Sequence, residues 1–337
     1  MSSPDVIIVG AGVLGLSTAA TLRARGHRVV VVDPGGPNAS SVAAGMIAPA
    51  FEAALEGATV ERAALYRAAA ALWPAFAGPH GMELIAARAE WRGPDPDAVA
   101  ARLTSLGFAV ERVAGGVHAP EDQRLSPRAA LSALEAGLAF SVQRTDAVGL
   151  ERRDGGWIVR LAQGEPLRAP HVVIATGVAD ALAGLPAPVR RRVESIPPIR
   201  GQIGWTAEVL TDRTLRGPGV YVTPVDGGTA IGATMEEGRR DPAPDPDAGD
   251  VLRRAAEALL DRPIDPAPME WRVGVRGATP DGLPMAGLGG GPGLHLALAP
   301  RRNGWLLGPL VGEVLADGIE GRAPGEWAAA LDPQRFG

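Results

Sequence analysis

The chain has 337 residues, with 33 Lys+Arg against 38 Asp+Glu, a formal net charge of -5 and no cysteine; all of its basic residues other than histidine are arginine. These counts exclude disulfides, thiolate metal sites, iron–sulfur clusters, a cysteine nucleophile, a lysine Schiff base and a P-loop lysine. The mild acidity gives no electrostatic case for nucleic acid or an anionic membrane, and the length suits one large α/β domain or two interleaved ones.

Residues 5–9 (DVIIV) predict a buried parallel strand. GAGVLG follows at 10–15, then an alanine-rich helix over 16–25 that Gly26 ends. A second strand over 28–32 carries Asp33 at its end. This strand–turn–helix–strand order is the setting that a dinucleotide fingerprint requires. Gly10 makes the tight turn, Gly12 lets backbone approach a pyrophosphate, and Gly15 lets the helix pack on the strand. The helix N-terminus turns N–H groups toward phosphate, and Asp33 can accept hydrogen bonds from an adenosine ribose. The fingerprint alone leaves NAD and FAD both open.

Residues 38–49 are small and polar, then apolar; Ser40 and Ser41 suit an N-cap or a phosphate contact. Helices are expected over 52–76, over 97–106 behind a Pro-rich linker at 93–96, and from Pro127 through Gly137. Residues 139–144 read as a strand, and 148–152 with 157–161 as a hairpin around Asp154-Gly155-Gly156. A buried strand from His171 ends at Thr176 and Gly177, and the Pro- and Arg-rich stretch 184–198 reads as a crossover. Antiparallel strands are expected at 201–206, 220–224, 229–234 and 270–276, with a helix over 250–260. A strand at 294–298 and a helix at 308–317 follow. The fold class is therefore α/β with an α+β insert: a discontinuous nucleotide-binding domain over 1–80, 126–197 and 277–337, and an antiparallel-sheet substrate domain over 81–125 and 198–276. The early apolar stretch 6–20 is broken by glycines and follows no basic segment, so a cytoplasmic protein is expected.

The blocks DVIIVGAGVLGLSTAATL, SSVAAGMIAP, VVIATG, IRGQIG, YVTP with GGTAIGATMEEG, WRVGVRGATPDGLPMAG and RNGWLLGPLVGEVLA stand in that order. Together they resemble the D-amino-acid oxidase family of flavoproteins, and within it the glycine oxidases. The resemblance implies FAD bound in a Rossmann-like domain. It implies that Gly10, Gly12, Val13, Leu14, Gly15 and Asp33 hold the ADP half. Ser40, Ser41, Ala44, Gly45 and Met46 would run beside the pyrophosphate and flavin, with Thr176 and Gly177 near the cofactor. Asn303, Gly304, Trp305 and Leu306 would supply a backbone turn at the flavin pyrimidine edge. Arg276 and Tyr221 would bind the substrate carboxylate, Met235 would line the pocket, and the Arg302 main chain would lie near the substrate amine.

The physical logic agrees with these implied roles. A guanidinium fork meets a carboxylate with two parallel hydrogen bonds. A helix N-terminus after Leu307 would stabilise charge on a reduced flavin. The residues alone also fit plainer roles: an ion pair for Arg276, core packing for Tyr221 and Met235. The chain departs from the family pattern at Asp33, where Glu is more usual, at Val225, at Gly277, at Pro300-Arg301 and in the bulk of Trp305. By the resemblance, Val225, Gly277 and Pro300-Arg301 touch the roof and the flavin edge and Trp305 would narrow the pocket, so substrate identity stays open. The five histidines are far apart in sequence with no ligand spacing, and no metal is expected.

The implied activity is oxidative deamination of a small amino acid or amine, giving an imine and then an oxoacid, ammonia and hydrogen peroxide, with oxygen as acceptor. The resemblance also allows a supply of glycine imine for the thiazole of thiamine. The alternatives are a D-amino-acid dehydrogenase with another acceptor and a non-catalytic nucleotide-binding module. Expected partners are small molecules, not nucleic acid or membrane, and a homo-oligomer is compatible with the sequence.

Overall fold

The run Val6–Val9 is buried along its whole length, as a strand must be when both faces of its sheet are covered. In the computed structural model, which describes residues 3–138 and 141–336, it pairs in parallel with Val29–Val32 on one side and His171–Ile174 on the other. Among the described residues its sheet has six strands, in the order Met285–Gly291, Leu294–Leu298, His171–Ile174, Val6–Val9, Val29–Val32, Val142–Gln143. Met285–Gly291 runs antiparallel to its neighbour at the edge. Of the strand expected over 139–144, Val142–Gln143 is present, while Ala139 and Phe140 lie outside the described residues. Ile7, Val172, Ile174 and Leu296 pack with Leu150, Trp157 and Val159, which belong to a three-stranded antiparallel sheet made of Ala147–Arg153, Gly156–Leu161 and Leu167–Ala169.

The helix Val13–Ala24 lies against Gly304–Glu320. Glycine allows the close approach: a Cβ on Gly312 would sit 2.7 Å from Thr21 Oγ1, and one on Gly308 would sit 2.8 Å from Ser17 Oγ. This last helix begins at Gly304, a full turn before the expected start at 308. The crossover stretch also contains a helix, Ala187–Glu194, that the sequence reading missed; its Pro188 sits in the first turn, where proline costs no hydrogen bond. These elements form one compact unit of residues 1–38, 131–199 and 276–337.

Residues 39–130 and 200–275 form a second unit. Its main sheet, nine strands among the described residues, runs Glu236–Glu237, Pro198–Thr206, Gly228–Gly232, Val220–Val225, Leu215–Gly217, Ala89–Trp91, Gly116–Ala119, Glu111–Val113, with Glu270–Gly277 also paired to Pro198–Thr206. The helix Pro246–Leu260, capped by Asp245, covers one face: Leu252 and Ala256 pack on Val220, Val222 and Ile231. Strand alternation turns Tyr221, Ala230 and Ile203 to the other face, where they pack with Val42, Ala44 and Met46.

The division differs from the expected one at residues 39–80 and 126–130, which fall in the unit of the large antiparallel sheet. The reason is packing: a Cβ on Gly274 would lie 3.2 Å from Ala39 Cα and 3.3 Å from Val42 Cβ, and Met46 pairs with Arg124. The single helix expected over 52–76 is two, Pro49–Leu55 and Val60–Ala77. Gly57 breaks it at φ 64°, and Thr59 caps the second helix through a bond from Arg62 N–H.

Candidate active site

Gly10 has φ 114°, a conformation that L side chains rarely adopt. A Cβ there would run into the Ala175 carbonyl, 2.7 Å from its carbon, and one on Gly15 would run into the Gly10 carbonyl. The turn after Val6–Val9 therefore lies directly against the end of His171–Ile174, where Thr176 and Gly177 follow. Gly12 is the N-cap of Val13–Ala24 with no side-chain cap bond, so the cap adds no side chain over the positive end of the helix dipole. Asp33 accepts a 2.7 Å hydrogen bond from the Ala11 N–H and one of 2.7 Å from the Gly35 N–H. It thus ties the second strand end to the glycine turn, and a carboxylate with about four acceptor positions can also take a ribose hydroxyl.

The turn before Gly304–Glu320 belongs to the same edge. Ala299 and Arg301 have positive φ, 59° and 52°, an uncommon state for non-glycine residues that costs on the order of 1–3 kcal/mol. The Arg301 N–H donates to the Gly277 carbonyl and the Asn303 N–H to the Pro300 carbonyl, both at 2.9 Å. Asn303, Trp305 and Leu306 are buried, whereas Arg302 is exposed. A Cβ on Gly304 would lie 3.2 Å from Val13 Cγ1. Two helix N-termini, from opposite ends of the chain, thus stand side by side at the carboxyl ends of the parallel strands. That crevice is where open α/β sheets take nucleotides. The crevice suits a dinucleotide: glycines at 10 and 12 leave the turn without side chains, and two helix N-termini, which favour negative charge, open on it.

In the second unit, Ser40 and Ser41 lie in the short helix Ala39–Val42, half-buried. Gly45 has φ 73°, and a Cβ on it would sit 2.9 Å from Pro127 Cδ. Ala44 and Met46 pack in one cluster with Tyr221. Met235, just beyond the Gly228–Gly232 strand, is 38% exposed. Arg276, which opens the last segment of the first unit, is half-buried near the end of Glu270–Gly277.

Two clusters escaped the sequence reading. Arg216 is 4% exposed, with Nη1 donating to Glu52 Oε1 at 2.9 Å, Nη2 to Met46 Sδ at 3.3 Å, and Cζ 5.7 Å from the Phe51 ring centroid. Beside them Asp122, fully buried, accepts from the Ala50 N–H at 2.9 Å and the Phe51 N–H at 3.4 Å at the start of Pro49–Leu55. Burial pushes its carboxyl up to about 7, against the pull of Arg216. No local signal links positions 52, 122 and 216. The second cluster pairs His171 Nδ1 with His295 Nε2 at 3.2 Å, so these two histidines, distant in sequence, meet across paired strands. Burial, and then the neighbouring His171, hold His295 down to about 4.

The fold and the glycine turns define a dinucleotide-binding protein, and comparison with known proteins sharpens that class. The family pattern described as DAO, FAD dependent oxidoreductase, matches residues 5–318. Glycine oxidase of Geobacillus kaustophilus is 31% identical over 367 residues, covering 94% of this chain and 93% of that one. The crystal structure of glycine oxidase from that organism superposes with a TM-score of 0.83 at 26% identity over 99% of both chains. The bifunctional protein ThiO/ThiG of Nostoc sp. is 29% identical over 359 residues, covering 93% of this chain and 52% of its own length; the chain spans about half of such bifunctional relatives. The chain belongs to the DAO family of FAD-dependent oxidoreductases, and its cofactor is FAD. Among the described residues, no helix is long and apolar enough to cross a membrane.

Proposed function

We propose that the chain oxidises the C–N bond of a small amino acid or amine, as a glycine-oxidase-like enzyme. FAD, when bound, supplies a two-electron acceptor. Gly10, Gly12, Val13, Leu14, Gly15 and Asp33 would hold its ADP half, with Thr176 and Gly177 beside it, and the Asn303–Gly304–Trp305–Leu306 turn the ring edge. The substrate carboxylate is assigned to the Arg276 fork and the Tyr221 hydroxyl, with Met235 in the wall and the Arg302 main chain toward the amine. The clamp's work is orientation: it fixes Cα relative to the acceptor, which converts a bimolecular encounter into a positioned one. The balanced reaction takes amino acid, water and oxygen to oxoacid, ammonia and hydrogen peroxide.

The observation that carries this reading is the near end-to-end identity of 31% with a glycine oxidase. The shared cluster of Tyr221 with Ala44 and Met46 supports it. The test is the visible spectrum of purified protein, anaerobic, before and after glycine, sarcosine, D-alanine and D-proline. Bleaching of the oxidised-flavin band by one of them is expected. A band that none of them bleaches would sink the substrate assignment. Bleaching followed by slow recovery in air, with fast turnover on an artificial acceptor, would make it a dehydrogenase.

A further inference from the structure

Tyr221 has a directly opposite residue on each side: Arg216 on Leu215–Gly217 and Gly232 on Gly228–Gly232. Such cross-strand partners point to the same face of the sheet and touch when both are large. The Arg216 side is full. Its guanidinium is buried, bonded to Glu52 and Met46, and set over the Phe51 ring. The Gly232 side is bare, and the tyrosine ring lies across it. A Cβ on Gly232 would lie 2.9 Å from Tyr221 Cε1 and closer still to Cζ and Oη, and all three of its nearest atoms belong to Tyr221. Gly232 stands in strand backbone outside the left-handed region, and what lies against its bare side is the Tyr221 ring.

We propose that Gly232 is a positioning residue: its bare backbone seats the Tyr221 ring and so sets where the phenol hydroxyl meets the substrate carboxylate. The inference rests on the carboxylate role proposed above for Tyr221. Arg216 stands opposite on the other side, and an added methyl group at 232 would meet the ring itself, so the ring must shift to make room. A misplacement of about 1 Å at a positioned group can cost on the order of a hundredfold in rate.

The test uses the holoenzyme with Gly232→Ala, Tyr221→Phe, Tyr221→Ala and the double variant Gly232→Ala/Tyr221→Ala. The probe is glycolate, a carboxylate ligand read by its perturbation of the flavin band. Gly232→Ala is expected to keep FAD and to weaken glycolate about tenfold, as Tyr221→Phe does, the loss of one hydrogen bond to a charged group. With the ring removed by Tyr221→Ala, the added methyl group should change the Kd by less than about twofold. Native glycolate affinity in Gly232→Ala, with Tyr221→Phe impaired, overturns the proposal. So does equal weakening by Gly232→Ala in the Tyr221→Ala background. If Tyr221→Phe itself binds glycolate normally, the clamp reading falls and the proposal with it. Should Gly232→Ala lose FAD, recovery of FAD in the double variant supports the ring clash, and loss in both overturns it.

Discussion

An amino-acid carboxylate offers two acceptor oxygens in a plane, and Arg276 is a residue whose fork matches them. Replacing Arg276 by Ala should raise KM roughly a hundredfold, since a paired charge-assisted contact is worth about 2–3 kcal/mol, while FAD stays bound. Arg276→Lys keeps the charge and loses the fork, so it should recover only part of the loss. Steady-state kinetics beside a flavin-content measurement check both. Loss of FAD from Arg276→Ala would give the residue a structural role instead. Asp33 shows how one side chain serves two ends: it secures the glycine turn through Ala11 and Gly35, so its loss should loosen the turn as well as any ribose contact.

At the level of elements, the pairing of Val13–Ala24 with Gly304–Glu320 depends on where the glycines of the second helix fall. Gly312 faces backbone as well as Thr21: a Cβ there would lie 3.0 Å from the Ser17 carbonyl oxygen. Gly318 has nothing within 4 Å of the same built atom. Alanine is the better helix former by about 1 kcal/mol, but overpacking against rigid backbone costs about 1–3 kcal/mol. Gly318→Ala should therefore raise the thermal midpoint slightly, whereas Gly312→Val, which adds three carbons, should lower it by several degrees and weaken FAD retention. Thermal unfolding of the two variants side by side checks this. Equal effects would mean that the helices do not pack as closely as the glycines allow.

For the molecule as a whole, two buried titrating groups, Asp122 and His295, act in opposite pH directions. Asp122 ionises near 3.8 when unfolded and is pushed up to about 7 by burial. Its protonated form therefore contributes stability that is fully present below about 3.8 and lost as pH rises through about 7. His295 is held down to about 4 from 6.5, so its contribution is present above 6.5 and lost as pH falls through about 4. Asp122→Asn retains an acceptor for the Ala50 N–H without the ionisation. The variant should gain in thermal midpoint relative to the parent as pH rises from 5 to 8. A gap that stays constant across that range would show that Asp122 does not titrate there.

The sequence by itself determined the nucleotide half and its cofactor family. A buried β-branched run, glycines at 10, 12 and 15 and an acid at 33 are local features. The tight turn the glycines make is a local feature, although the backbone that Gly10 meets, at Ala175, comes from a distant strand. Resemblance in ordered blocks supplied FAD. Tertiary structure decided what depends on distant residues meeting. It assigned residues 39–80 to the antiparallel sheet, split one expected helix at Gly57, and brought Gly304 against Val13. It also gathered Glu52, Asp122 and Arg216 in one buried cluster and joined His171 to His295. No window of sequence reports such pairs, because burial and charge compensation are properties of the packed chain. Gly232 shows the same limit: in sequence it is one glycine among 45, and its meaning depends on the Tyr221 ring that the neighbouring strand lays across it.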